Sequence, residues 1–151
     1  MSRGRWGEKM VKITVFGTPV PQGRPQFARI GKYVTTYDPA RSRNYKQLVR
    51  LWVTQHLKKI DGWKPFEKAV CVDITFYLGI PTSWSKEKRM QAANGVIRPT
   101  SRPDIDNLVK SVTDAVLGLV WVDDSIITDL TARKRYTAET ARVDIRVTEV
   151  Q

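Results

Sequence analysis

Apolar and polar residues alternate with period two from Val11 to Gly17 (VKITVFG), the pattern of a half-buried strand. Thr18–Gly31 is punctuated by Pro19, Pro21, Gly23, Pro25 and Gly31 and reads as a loop, followed by a short strand at Tyr33–Tyr37. Asp38 then has the place of an N-cap, with Pro39 at the first helical position. The helix it opens runs to about Lys59, because Tyr45, Leu48, Val49, Trp52, Val53, Leu57 and Ile60 recur on one face. Period two returns at Ala69–Leu78, where Val70, Val72, Ile74, Phe76 and Leu78 share a side. Ser83–Ala93 is helix-like and Asn94-Gly95 ends it. Ile97–Pro103 is a connector. Asp104–Gly118 forms a third helix with Ile105, Leu108, Val109, Val112, Val116 and Leu119 on one side. After the short apolar run Leu119–Val122, the segments Ile126–Arg135 and Ala141–Glu149 alternate as two closing antiparallel strands, turned around Thr137–Thr140.

This order of elements predicts a single α/β domain of the α+β type, a small mixed sheet packed with about three helices, over residues 1–151. Residues 1–10 form an N-terminal extension. A chain of 151 residues accommodates one real core. With 41% hydrophobic and 27% charged residues it has the composition of a globular protein. No stretch approaches the ~18 apolar residues of a membrane span, and the basic N-terminus lacks the apolar segment of a secretory signal. Cys71 is the single cysteine, which excludes an internal disulfide and cysteine-cluster zinc sites and suits a reducing cytoplasm.

Charge sharpens the picture. Residues 1–60 hold 13 basic and 2 acidic side chains, whereas residues 61–151 hold 13 of each, so the net charge of +11 resides in the first two-fifths of the chain. Within the neutral part, residues 104–129 contain Asp104, Asp106, Asp114, Asp123, Asp124 and Asp129 against Lys110 alone. The basic part is suited to a polyanion, nucleic acid before acidic lipid, with Arg24, Arg29, Lys32, Arg41 and Arg43 as candidate contacts. The acidic part is suited to cations.

Asp104 and Asp106 open the third helix, and their carboxylates can converge if Asp104 is its non-helical N-cap. Lys110 follows Asp106 by four and shares its face. Asp123 and Asp124 come after the next apolar run and can return to the same place. Hard oxygen donors in this arrangement suit Mg²⁺, which activates water and neutralises charge on a phosphodiester. A neighbouring lysine can stabilise the same charge. The plainer alternative is structural: an N-cap, a dipole partner, a surface pair Asp106–Lys110 and a turn at Asp123–Ser125. His56, the only histidine, reads as a helix-surface residue, and Cys71 as a buried thiol. Of the tryptophans Trp6, Trp52, Trp63, Trp84 and Trp121, the periodicity assigns Trp52 and Trp121 to packing and leaves Trp84, beside Lys86, Lys88 and Arg89, open for base stacking.

The run Arg102-Pro103-Asp104-Ile105-Asp106-Asn107-Leu108-Val109-Lys110, with Val122-Asp123-Asp124 after it, resembles the signature of the RusA family of Holliday-junction resolvases. Gly17-Thr18-Pro19-Val20-Pro21-Gln22-Gly23-Arg24-Pro25 resembles that family's first strand and Pro-rich basic loop. The resemblance implies a homodimeric crossover junction endodeoxyribonuclease, in a bacterial cytoplasm and commonly of phage or prophage origin. Such an enzyme nicks opposing strands of a four-way DNA junction with Mg²⁺, for which Mn²⁺ substitutes. It implies catalytic roles for Asp104, Asp106, Lys110 and Asp124, with Asp104, Asp106, Asp124 and the adjacent Asp123 as metal ligands. The rivals are a nuclease for other branched DNA and a non-catalytic basic DNA-binding protein.

Overall fold

A computed structural model describes residues 9–150. Residues 1–8 of the expected extension, Trp6 among them, lie outside the described residues, and Met10 already opens the first strand. The elements are β1 (Met10–Phe16), β2 (Gln26–Ile30), β3 (Tyr33–Tyr37), α1 (Ala40–Lys58), β4 (Val70–Gly79), α2 (Lys86–Ala93), α3 (Ile105–Val116), β5 (Ile127–Thr137) and β6 (Arg142–Glu149). Three helices, a mixed four-stranded sheet and a separate β2–β3 hairpin make an α+β architecture.

The sheet order is β1-β6-β4-β5. Alternation turns Val11, Ile13 and Val15 of β1, Val70, Val72, Ile74 and Phe76 of β4, and Val143, Ile145 and Val147 of β6 to one face. Their partners are Tyr45, Val49, Val53 and Leu57 of α1 and Leu108, Val112, Ala115 and Val116 of α3. Phe66, Val120 and Trp121 close this core. α1 packs on α3 and on β1, which fixes the start of α3 relative to the loop leaving β1. The opposite sheet face is polar, with Asp73 held by Arg133 (2.9 Å) and Arg146 (3.7 Å).

Several expectations need correction. β5 and β6 do not pair with each other. Both pair with β4, β5 in parallel and β6 antiparallel. β4 is buried along its apolar row from Val70 to Phe76 and takes a neighbour on each edge. Residues 138–141 therefore cross the end of β4, a span of about 10 Å for two strand spacings, within reach of four extended residues. Gln26–Ile30, read as loop, is a strand that pairs with β3 around Gly31, whose φ of 60° suits the tight turn. Pro39, not Asp38, is the N-cap position of α1, because the Asp38 carboxylate is occupied by Gln22 and Lys46. α2 starts later than expected, at the Ser85 cap, whose Oγ accepts from the Lys88 N–H (3.2 Å). Trp52 is not a core residue. It is part-exposed and packs edge-to-face on Phe16. Trp121 is fully buried, as expected, and Cys71 is only half-buried. Trp84 is engaged at the foot of α2, edge-on to Tyr136 with the Lys88 ammonium over its ring.

Candidate active site and DNA groove

Asp104 occupies the N-cap position of α3 with extended backbone (φ −72°, ψ 140°), yet its carboxylate makes no capping hydrogen bond. The simplest structural use of this residue is therefore not taken up. Lys134 of β5 donates to the carbonyls of Ser101 and Pro103 (2.9 Å each) and ties the segment before Asp104 to the sheet. Asp106 lies in the first turn, with Oδ1 accepting from the Asn107 N–H (2.9 Å). Asp124 begins a short 3-10 turn, Asp124–Ile126, and its Oδ1 accepts from the buried Trp121 indole (2.8 Å). Asp123, adjacent, accepts from the Ser125 hydroxyl.

Lys110 does not pair with Asp106. Its ammonium lies 2.9 Å from Asp114, one turn further on. Lys46 of α1 reaches the same carboxylate at 3.9 Å and also meets Asp38 and the Gln22 side chain. The hydrogen bond that Lys110 donates to Asp114 and the charge of that carboxylate hold the Lys110 pKa above its ordinary 10.5; burial opposes them, and the charge of Asp124 adds a smaller push upward.

An open groove of about 780 Å³ runs alongside. Its walls include Arg24, Arg41 and Arg102 together with Asp104 and Asn107, so the basic loop and the acidic helix start share one depression. The loop is docked by a backbone hydrogen bond from Gln22 N to Asn107 O (2.9 Å) and by Gly23 N–H to Ser42 Oγ (2.7 Å). Of the other basic candidates, Arg43 is turned to the Asp38 carbonyl (3.0 Å), and Arg29 and Lys32 belong to the exposed β2–β3 hairpin. Arg102, Asp114 and Lys134 were not singled out by sequence reasoning. Asp114 does carry a spacing signal, four residues after Lys110 on the same helix, whereas Arg102 lies in a connector and Lys134 ties that connector down from β5. His56 is part-buried on α1, away from these groups in sequence, with burial and Lys59 lowering its pKa.

Among the described residues no three His, Cys, Asp or Glu side chains lie close enough to form a ready metal cage. The expected convergence of three or four carboxylates on one point is thus not preformed. The donor chemistry nevertheless fits Mg²⁺, which is commonly held by one or two carboxylates, several waters and substrate phosphate rather than by an all-protein cage. The exposed, uncapping carboxylate of Asp104, beside a groove of arginines, meets that description.

Comparison with known proteins points the same way. A protein of Bacillus subtilis (strain 168), YqaN, described as uncharacterized, is 40% identical over 142 residues, 93% of this chain and 96% of the relative. The family model for the endodeoxyribonuclease RusA matches residues 17–148, a stretch that holds the basic loop, the Asp104–Lys110 helix start and the Asp123-Asp124 turn. The chain belongs to the RusA endodeoxyribonuclease family.

Proposed function

We propose that this protein is a Mg²⁺-dependent endonuclease that resolves four-way DNA junctions by nicking opposing strands, acting as a homodimer. The observation that carries the reading is the family match over residues 17–148, which includes every residue of the proposed site. Asp104, Asp106, Asp124 and the adjacent Asp123 are the candidate ligands, one or two of which would hold the metal together with water and substrate phosphate. When bound, it lowers the pKa of the attacking water and neutralises charge on the phosphate. Asp124 is steadied for that task by the Trp121 indole. Lys110 is cationic and cannot ligate a metal while protonated, so its role is to stabilise charge on the phosphate or the leaving oxygen. Arg24, Arg41 and Arg102 hold the strand in the groove by its backbone.

Incubation of the protein with a labelled synthetic four-way junction, with Mg²⁺ and with EDTA, tests the reading. Paired, metal-dependent nicks are expected on the junction and not on a linear duplex of equal length. Lys110→Ala should lower the cleavage rate by about 10²–10³-fold, the range for loss of one preorganised charge-stabilising group, while leaving metal binding intact. Near wild-type turnover would return Lys110 to a surface pair with Asp114.

A further inference from the structure

The β2–β3 hairpin belongs to neither the core nor the four-stranded sheet. A two-stranded ribbon by itself is marginal in water, and this one displays large apolar side chains on both faces. Alternation places Phe27 and Val34 on one side with Arg29, and Ile30 and Tyr33 on the other. Phe27 is 71% exposed, Ile30 66%, Tyr33 77% and Val34 63%. Clustered exposure of this kind marks an interaction surface.

Charge identifies the occupant. No acidic residue occurs between Lys9 and Tyr37, while Arg24, Arg29 and Lys32 line the approach and the ribbon itself. Exposed rings interleaved with arginine and lysine suit nucleic-acid bases and phosphates. Lysine is depleted in the core of a protein–protein interface. The ribbon is also continuous with the groove, since Arg24, which lines it beside Asp104, lies two residues before β2. In a linear duplex the base faces are hidden by stacking. At a branch point the terminal pairs of each arm can present theirs.

We infer that the hairpin recognises the branch: Phe27 and Tyr33 stack on base faces exposed at the junction centre, while Arg29 and Lys32 take the flanking phosphates. The inference rests on the junction reading above and adds the element that distinguishes branched from linear DNA.

Binding in EDTA separates it from the chemistry. The substrates are a four-way junction carrying 2-aminopurine at its centre and a linear duplex of the same length. Wild type should prefer the junction and change the 2-aminopurine fluorescence. Phe27→Ala with Tyr33→Ala should lose about tenfold in junction affinity per ring, change little on the duplex, and abolish the fluorescence change. Phe27→Tyr with Tyr33→Phe, which keeps two rings, should behave as wild type. An alanine variant with the wild-type preference for the junction overturns the inference. So does a fall in its mass by light scattering relative to wild type, which would make the ribbon a contact between two copies. A wild type that binds and perturbs the junction centre without cleaving it in Mg²⁺ supports the hairpin's role and overturns the nuclease reading. A wild type that cleaves while the alanine variant binds unchanged overturns the hairpin's role alone.

Discussion

Asp124 shows how one side chain can be held by the core and still be open to solvent. One oxygen accepts from the indole of Trp121, which is fully buried, and the residue as a whole is exposed. Asparagine keeps that acceptor and the shape but loses the charge. Asp124→Asn should therefore fold with wild-type stability, bind Mg²⁺ or Mn²⁺ more weakly by isothermal titration, and lose junction cleavage. Its affinity for DNA in EDTA should be equal or higher, since one repulsive charge has gone. Retained cleavage would remove Asp124 from the site. The aspartates themselves are legible in the sequence, because their spacing and their place at a helix start survive without any tertiary knowledge. The lysine's partner is not. Lys110 has an acid four residues on each side, and an isolated helix favours the N-terminal one. Here Asp106 is turned to the Asn107 N–H and Lys46 arrives from α1, so the pair forms with Asp114.

At the scale of elements, the basic loop before β2 is fastened to α1 and α3 by few but specific contacts. Gly23 lets the chain pass so close to α1 that a Cβ there would lie 2.8 Å from Pro39 Cγ and 2.9 Å from Ser42 Oγ. Gly23→Ala must push the loop away. It should cost about 1–3 kcal/mol by urea denaturation and weaken DNA binding, because Arg24 moves with it. The second fastening is electrostatic. Hydrogen bonding to Lys46, then to Gln22, together with the charges of Lys46 and Arg43, lowers the Asp38 pKa below 3.8, against a cost of burial. A carboxylate depressed in the folded state stabilises fully above its unfolded pKa, and that stability is lost as pH falls through the folded value. Asp38→Asn should thus be about 1 kcal/mol less stable than wild type at pH 7, and the gap should close as pH drops below 3.8. A gap independent of pH would assign the effect to shape rather than charge. The period-three-to-four and period-two patterns predict α1, α3, β1 and β4 well, since each buries one continuous apolar row. β2 escapes the same test because both of its faces are exposed, so no alternation is imposed on it.

For the whole molecule, one protomer contributes one acidic helix start and one groove, while a four-way junction needs two opposed cuts. A two-fold dimer meets that need. Light scattering of the free protein should give a mass near twice 17.3 kDa, and a monomer at micromolar concentration would count against paired nicking while leaving single-strand chemistry open. The sheet order was hidden for a reason that also acts at this scale. Alternation shows that β5 and β6 are strands but carries no information about which strand lies between them. That placement has a consequence for how the chain acquires its structure. Among the described residues β1 has its only strand partner in β6, with Met10 opposite Thr148, and β6 also covers the second edge of β4. The first strand in chain order therefore waits for the last. A nascent chain emerging as far as β5 has a β1 with nothing to pair with and a β4 open along one side. Closure of the sheet depends on contacts between residues more than a hundred positions apart, which places this domain among the slower, late-committing folders, completed only once β6 has left the ribosome.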